Sequence, residues 1–292
     1  MSGDEFRTVA PEALAPGRLM RSLGLAPRKG LGQNFLVSKS ALRHIMGALE
    51  LCGGDTVIEV GAGAGTLTGF LAAHAGAVVA VELDDRLAEY LRLRFAEVQN
   101  VRIVQADILA VVPQDLLPST TVRYKVAGNL PYYLTSAAIR QVLDWRPSPE
   151  LMVVMVQEEV ARRIVAAPGD MSLLSLMVQL AGRPEMVARV PPGAFVPAPK
   201  VSSAIVRVRP YPERLASAQL EAAVFELARA GFHQRRKTLL NALASGGGMQ
   251  REQARLLVES VGLPEKARAE ELSAQQWIEL ARQVQPVGRD TE

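Results

Sequence analysis

The stretch TVIEVGAGAGTLTGFLAAH, residues 56–74, contains the transition that decides the fold. Its first part, Thr56–Gly61, is a short apolar run with the residues of a buried strand. From Thr66 onward the spacing becomes helical, and glycines at 61, 63 and 65 separate the two patterns. Glycine allows a sharp turn and a close approach by a ligand. The stretch therefore predicts a strand, a glycine-rich loop and a helix, which together begin a βαβ unit.

The same alternation continues along the chain. Further strands are predicted at 77–83, 101–107, 124–130 and 151–157, with helical segments between them. Such alternation predicts an α/β fold with a mostly parallel sheet covered on both faces. Two later runs, EMVARVP and SAIVRVRP, are close in sequence and are expected to form a hairpin at the sheet edge.

The character of the sequence changes after Pro210. From Leu215 onward four segments have helical spacing and none has the pattern of a strand. We therefore predict an N-terminal extension at 1–28, an α/β domain at 29–210 and a small all-helical domain at 211–292.

Composition limits the class of protein. The net charge of +3 is weak support for a nucleic-acid partner unless the charges are clustered. One cysteine, Cys52, and no His/Cys spacing typical of zinc predict neither an internal disulfide nor a metal. No signal peptide or membrane-spanning run is evident, so we expect a cytoplasmic protein without a membrane partner.

The spacing of the glycine loop indicates the kind of ligand. A dinucleotide fingerprint beginning at Gly61 needs Gly or Ala at position 66, which is Thr66 here. Glu59, just before the loop, would repel a pyrophosphate and would suit an ammonium group. S-adenosylmethionine has an ammonium, a sulfonium and no phosphate. A nicotinamide-dependent dehydrogenase is therefore the weaker alternative.

Two further acids follow predicted strands. Glu82 lies about 20 residues beyond the loop, where a carboxylate can accept both ribose hydroxyls. Asp107 ends the next strand and could accept from the cofactor adenine amine, with Ile108 packed on the ring. Leu83 is assigned to the same cofactor site. Each acid alone could be a solvated strand end, but three at one sheet edge favour a binding site.

The fourth strand ends in Asn-Leu-Pro-Tyr, which resembles the signature of methyltransferases that act on exocyclic amines. Such an amine is a poor nucleophile, and two acceptors can orient it: the Asn129 side-chain oxygen and the Leu130 carbonyl. Pro131 fixes the turn, and Tyr132 can stack on a base taken out of its helix. A turn with packed tyrosines is the structural alternative. Tyr133 receives no assignment.

Five segments together resemble the ribosomal RNA adenine N6,N6-dimethyltransferases, most closely the bacterial small-subunit members: KGLGQNFL, EVGAGAGTLT, NLPYY, FVPAPKVSSAIVRV and GFHQRRKTLLNAL. The resemblance implies a Rossmann-like, S-adenosylmethionine-dependent methyltransferase domain with a helical RNA-binding domain. It also implies a substrate of two adjacent adenosines near the 3′ end of 16S rRNA in the immature small ribosomal subunit, and a role in subunit biogenesis. A monomer is expected.

The resemblance assigns further residues by position. Gln33, Asn34 and Leu36 would close over the methionine end of the cofactor. Gly61, with Gly63 and Glu59, would supply loop contacts. Phe195 would flank the target adenine as a second aromatic residue, although a core position is equally compatible with the sequence. The family often has Asp where Ser202 stands.

Two basic clusters are candidates for phosphate contacts. One lies at the start of a C-terminal helix and the other before the cofactor segment; their members are His233, Arg235, Arg236 and Lys237, and Arg21, Arg28 and Lys29. Solvated helix faces are the structural alternative.

Two related functions remain open at this stage. A large-subunit rRNA methylase of the macrolide-resistance type shares the catalytic core, so Asn129 does not separate the two. A non-catalytic assembly factor would not need Asn129, Tyr132, Glu82 and Asp107 together, so their presence disfavours it.

Overall fold

The protein is represented by a computed structural model that describes residues 33–119, 121, 123–234 and 236–284. The predicted N-terminal extension, Arg21, Arg28, Lys29 and Arg235 lie outside the described residues. No helix in the described ranges combines the length and apolar character needed to cross a membrane.

A seven-stranded sheet forms the centre of the first part of the chain, as far as the described residues go. Its strands, in chain order, are β2 Thr56–Val60, β3 Ala77–Glu82, β4 Val101–Gln105, β5 Lys125–Asn129, β6 Leu151–Gln157, β7 Gly182–Val190 and β9 Ser203–Pro210. They are arranged as β4-β3-β2-β5-β6-β9-β7. The pairs from β4 to β6 are parallel, whereas β9 runs antiparallel to β6. The predicted α/β sheet with an antiparallel end is confirmed.

The order of the strands places the site. The chain proceeds outward from β2 through β3 to β4 and then returns to the other side of β2 as β5. Ligands of open α/β sheets bind at such a reversal, beyond the carboxyl ends of the strands. Because β9 is antiparallel, its first residues lie at that same edge.

Helices alternate with the strands along the chain. They are α1 Lys39–Leu49, α2 Thr66–Ala72, α3 Asp85–Arg94, α4 Pro113–Leu116, α5 Thr135–Asp144, α6 Glu158–Ile164 and α7 Leu173–Ala181. The Ser38 hydroxyl accepts from the Ala41 amide, and the Asp84 carboxylate accepts from the Arg86 amide, so each satisfies a free N–H of its first turn. Two short strands, β1 Phe35–Leu36 and β8 Phe195–Val196, pair with each other.

The chain divides into two compact units, and the division differs from the predicted one. The first comprises the described residues up to Ala161 together with Pro184–Pro210. The second comprises Arg162–Arg183 together with the described residues from Tyr211 onward. The expected boundary at residue 210 had assigned 162–183 to the first domain.

Packing explains the position of this inserted segment. Leu176 and Leu180 of α7 are fully buried in the apolar core of the second unit, which also contains Trp277. The remaining helices of that unit are α8 Ala218–His233, α9 Leu239–Gly246, α10 Arg251–Ser260 and α11 Ala274–Val284. An amphipathic helix joins the core that its apolar face contacts, whatever its position in the chain.

Candidate active site

A cleft of about 800 Å³, partly open to solvent, lies at the carboxyl ends of β2, β3, β4 and β5. Most of the predicted site residues line it: Gln33, Asn34, Gly61, Gly63, Glu82, Leu83, Asp107, Ile108, Asn129, Leu130, Pro131 and Tyr132. Residues that are up to 100 positions apart in sequence are thus brought to one place.

Glu82, the last residue of β3, links that strand to the glycine loop. Its Oε2 accepts from the Gly63 amide at 2.8 Å, and its Oε1 accepts from the Asp84 amide at 2.9 Å. Burial raises the pKa of Glu82 above its usual range, although both amides favour the charged form. The carboxylate is therefore fixed in orientation at the edge of the cleft.

Asp107 occupies the equivalent place after β4. Its Oδ1 accepts from the Leu109 amide at 2.9 Å and so caps the short 3₁₀ turn Ile108–Ala110. Ile108, the first residue of this turn, is buried and also lines the cleft. The turn holds an acid and an apolar side chain next to each other.

The first described residues, Gln33 to Phe35, line the cleft. The Gln33 amide donates to the Asp84 carboxylate at 3.1 Å. Burial alone would raise the pKa of Asp84, but the hydrogen bonds from Arg86 and Gln33 outweigh it and lower the pKa to about 2. The Phe35 ring covers the glycine loop so closely that a Cβ on Gly63 would lie 3.2 Å from it. Sequence reasoning did not identify Phe35 or this use of Asp84.

The Asn-Leu-Pro-Tyr corner follows β5. The Asn129 Nδ2 donates to the Asn34 carbonyl oxygen at 2.8 Å, which leaves Oδ1 as an acceptor. The Leu130 amide donates to Met155 in β6 at 3.1 Å, and no hydrogen bond between described residues uses the Leu130 carbonyl. The Leu134 amide instead donates to the Pro131 carbonyl oxygen at 3.0 Å. Two acceptors of neighbouring residues therefore remain for a ligand.

The two consecutive tyrosines occupy different parts of the cleft. The Tyr132 hydroxyl lies 3.1 Å from that of Ser203. Tyr133 is 58% exposed, and burial together with the charges of Asp107 and Glu82 raises its pKa. Tyr133, which had no assignment from the sequence, thus lies on the side of the two acids. The adjacent positions of Tyr132 and Tyr133 in the sequence do not predict that the two rings occupy different parts of the cleft.

Three predicted residues are not in the cleft lining. Leu36 and Phe195 face each other in the β1–β8 pair and are buried at 4% and 3% exposure. Both belong to the apolar core beneath the sheet. The alternative core position of Phe195 is therefore the one observed, because the β1–β8 ladder fixes both side chains in that core.

Glu59, for which a contact with a ligand ammonium is expected, is the third residue outside the lining. Successive side chains of a strand face opposite sides of the sheet, and the neighbouring Val60 lines the cleft. The Glu59 carboxylate instead accepts from the Thr68 hydroxyl at 2.6 Å. Burial, with a smaller effect of the Glu82 charge, raises the pKa of Glu59 to about 8. Through this hydrogen bond Glu59 links β2 to α2.

The charge of the lining restricts the ligand. Within the described part of the chain, the lining contains two carboxylates and no Lys, Arg or His. Phosphate groups are normally held by cationic side chains or by helix N-termini. These acceptors therefore suit a cationic ligand with hydroxyl and amine donors better than a dinucleotide.

The predicted basic cluster lies in the second unit. His233, Arg236 and Lys237 are exposed around a shallow concave surface that also includes Gln234. Lys237 and Arg251 line an adjoining depression. Clustered, exposed cations at the end of one helix suit contacts to phosphates.

Comparisons with known proteins show which family the chain matches. The family model described as ribosomal RNA adenine dimethylase matches residues 24–285. The chain is 48% identical over 271 residues to the ribosomal RNA small subunit methyltransferase A of Dehalococcoides mccartyi, covering 92% of this chain and 93% of the relative. It is 38% identical to the protein of the same name from Alkaliphilus metalliredigens, covering 88% and 91%.

Two solved structures share the architecture. The 23S rRNA methyltransferase ErmE has a TM-score of 0.69 and 28% identity, with 86% of this chain and 99% of that chain covered. A dimethyladenosine transferase from Plasmodium falciparum has a TM-score of 0.72 and 24% identity, with 84% and 95% covered, and shows the likeness of the fold alone.

Proposed function

Because the chain belongs to the ribosomal RNA adenine dimethylase family, we propose that it dimethylates the N6 amines of two adjacent adenosines in small-subunit rRNA, with S-adenosylmethionine as the methyl donor. The observation that carries this proposal is the position of Asn129. Its Oδ1 and the Leu130 carbonyl stand as acceptors beside a cleft lined by Glu82 and Asp107.

The residues of the cleft fit S-adenosylmethionine. Glu82 would accept the ribose hydroxyls, Asp107 the adenine amine, and Ile108 would pack on the adenine ring. The absence of Lys, Arg and His from the described lining suits a ligand with net positive charge and no phosphate. When bound, S-adenosylmethionine supplies an electrophilic methyl group on its sulfonium.

The corner would prepare the nucleophile. Asn129 Oδ1 and the Leu130 carbonyl would accept the two N–H bonds of the target amine, which aims the nitrogen lone pair and reduces its delocalisation. Tyr132 would stack on the extruded base. Orientation of the reacting atoms supplies most of the acceleration in such a site. No residue needs to act as a base before the nitrogen becomes positively charged.

The small-subunit substrate is favoured over a large-subunit one. The relatives at 38–48% identity over about nine-tenths of the chain are named as small-subunit enzymes. The structural neighbour named for 23S rRNA is 28% identical. His233, Arg236 and Lys237 would bind phosphates of the rRNA in an immature small subunit.

Methylation of purified, unmethylated ribosomal subunits tests the proposal. With radiolabelled S-adenosylmethionine, label is expected in the small subunit, and the mass of its 3′-terminal rRNA fragment should rise by four methyl groups. Label confined to the large subunit would establish the related methylase instead. Binding of small subunits without any methyl transfer would support a non-catalytic assembly factor.

A further inference from the structure

The contact between Tyr132 and Ser203 joins two segments that are 71 positions apart. The two hydroxyl oxygens lie 3.1 Å from each other. Tyr132 is half-buried at the lining of the cleft, whereas Ser203 is buried at 1% exposure. A buried hydroxyl needs a partner, and between described residues this bond is the one that the Ser203 side chain makes.

The sheet topology creates this contact. Asn129 at the end of β5 pairs with Met155 of β6, and Gln157 at the end of β6 pairs with Ser203 of β9. Strands in a sheet lie about 5 Å apart, and β6 lies between β5 and β9, so the corner and Ser203 are two strand spacings, about 10 Å, apart. The Tyr132 side chain therefore reaches across the carboxyl end of β6.

Both ends of the Tyr132 side chain are thereby held. Its backbone belongs to a corner fixed by the Leu130 amide on Met155 and by the Pro131 carbonyl, which receives Leu134. Its hydroxyl is held by Ser203 on β9, an interior strand of the sheet. A ring held at both ends has a fixed position and axis before a base arrives, which reduces the entropy lost on stacking.

We infer that Ser203 is a positioning residue for methyl transfer, which acts by holding the Tyr132 ring at the position where the target adenine stacks. This inference rests on the proposed function. The neighbouring Ser202 differs from Ser203 in this respect. Its hydroxyl lies 3.4 Å from Arg189, and its carbonyl receives the Glu158 amide. The chain thus provides a matched control one residue away.

A double-mutant cycle with unmethylated small ribosomal subunits tests the inference. Ser203→Ala and Tyr132→Phe should each lower kcat/KM about three- to tenfold, the range for loss of one hydrogen bond. If Ser203 acts through the Tyr132 hydroxyl, the double variant should be no worse than the worse single variant. Ser203→Thr, which keeps the hydroxyl, should restore at least half of the loss, and Ser202→Ala should resemble wild type.

Two further measurements separate positioning from folding. Calorimetric affinity for S-adenosylmethionine should be unchanged in Ser203→Ala, because Ser203 does not line the cofactor cleft. The thermal midpoints of Ser203→Ala and Ser203→Thr should be compared with wild type. A wild-type rate in Ser203→Ala, or additive losses in the double variant, would overturn the inference. Failure of the wild-type protein to methylate the subunit would instead overturn the proposed function.

Discussion

The side-chain amide of Asn129 donates a hydrogen bond of 2.8 Å to the main-chain carbonyl oxygen of Asn34, across 95 positions of sequence. This bond determines which end of the Asn129 amide faces the cleft. The nitrogen is occupied by Asn34, so the oxygen is the atom presented to a ligand. Asn34, which lines the cleft, thus also determines which atom of the Asn129 side chain faces the target amine.

Asn129→Ala should abolish most methyl transfer while leaving cofactor affinity within about threefold. The substitution removes one of the two acceptors, and a poorly oriented nucleophile costs about a hundredfold in rate. Single-turnover kinetics and calorimetry measure the two quantities separately. Gln141→Ala is a control, since that amide donates to Val111 at 3.3 Å outside the cleft. A wild-type rate in Asn129→Ala would exclude the orienting role.

Gly65→Ala should destabilise the protein by about 2–4 kcal/mol, from a left-handed backbone and an overpacked site. Gly65 has φ +75°, and an added Cβ would lie 2.7 Å from the Leu91 side chain. Gly69→Ala, four residues later in α2, meets no atom within 4 Å and should stabilise the protein by about 0.5–1 kcal/mol. Urea unfolding measures both, and effects of the same sign would contradict this account of the loop.

Glu59→Gln should change how stability depends on pH. Folding raises the pKa of Glu59 from 4.5 to about 8, so between these values the folded protein retains a proton that the unfolded chain has lost. The contribution of Glu59 to stability therefore falls as pH rises through this window. Glutamine can accept the Thr68 hydrogen bond without titrating.

The expected observation is a difference in thermal midpoint that changes with pH. Relative to Glu59→Gln, wild type should lose stability between about pH 5 and pH 8.5. Parallel curves for wild type and Glu59→Gln would mean that Glu59 titrates alike in both states.

Replacing Arg236 and Lys237 together by alanine should weaken RNA binding to the same extent for all RNA sequences. Each phosphate contact removed should reduce the slope of log affinity against log salt by about 0.7–0.9. Arg255→Ala is a matched control, because Arg255 is paired with Glu252 and Glu259, at 2.5 and 2.6 Å. Binding measured between 50 and 200 mM salt tests this. An unchanged slope in the double variant would place the RNA elsewhere.

The sequence by itself predicted the α/β alternation, the glycine loop and most of the cleft. Strand and helix periodicities are local, as are caps such as Ser38 and Asp84, so short windows contain the information for them. The positions of Glu82, Asp107 and Asn129 followed as well. Residues that end neighbouring parallel strands must meet at one edge of the sheet, whatever the packing of the rest.

Only the tertiary structure decided what the side chains contact. Glu59 lies below the loop and Phe195 lies in the core, because strand pairing fixes the face that each residue presents. The helix Leu173–Ala181 joined the second unit because that core covers its apolar face. Tyr132 met Ser203 because an antiparallel strand returned to the edge where parallel strands end. Such contacts depend on the order of strands across the sheet, which no local pattern in the sequence contains.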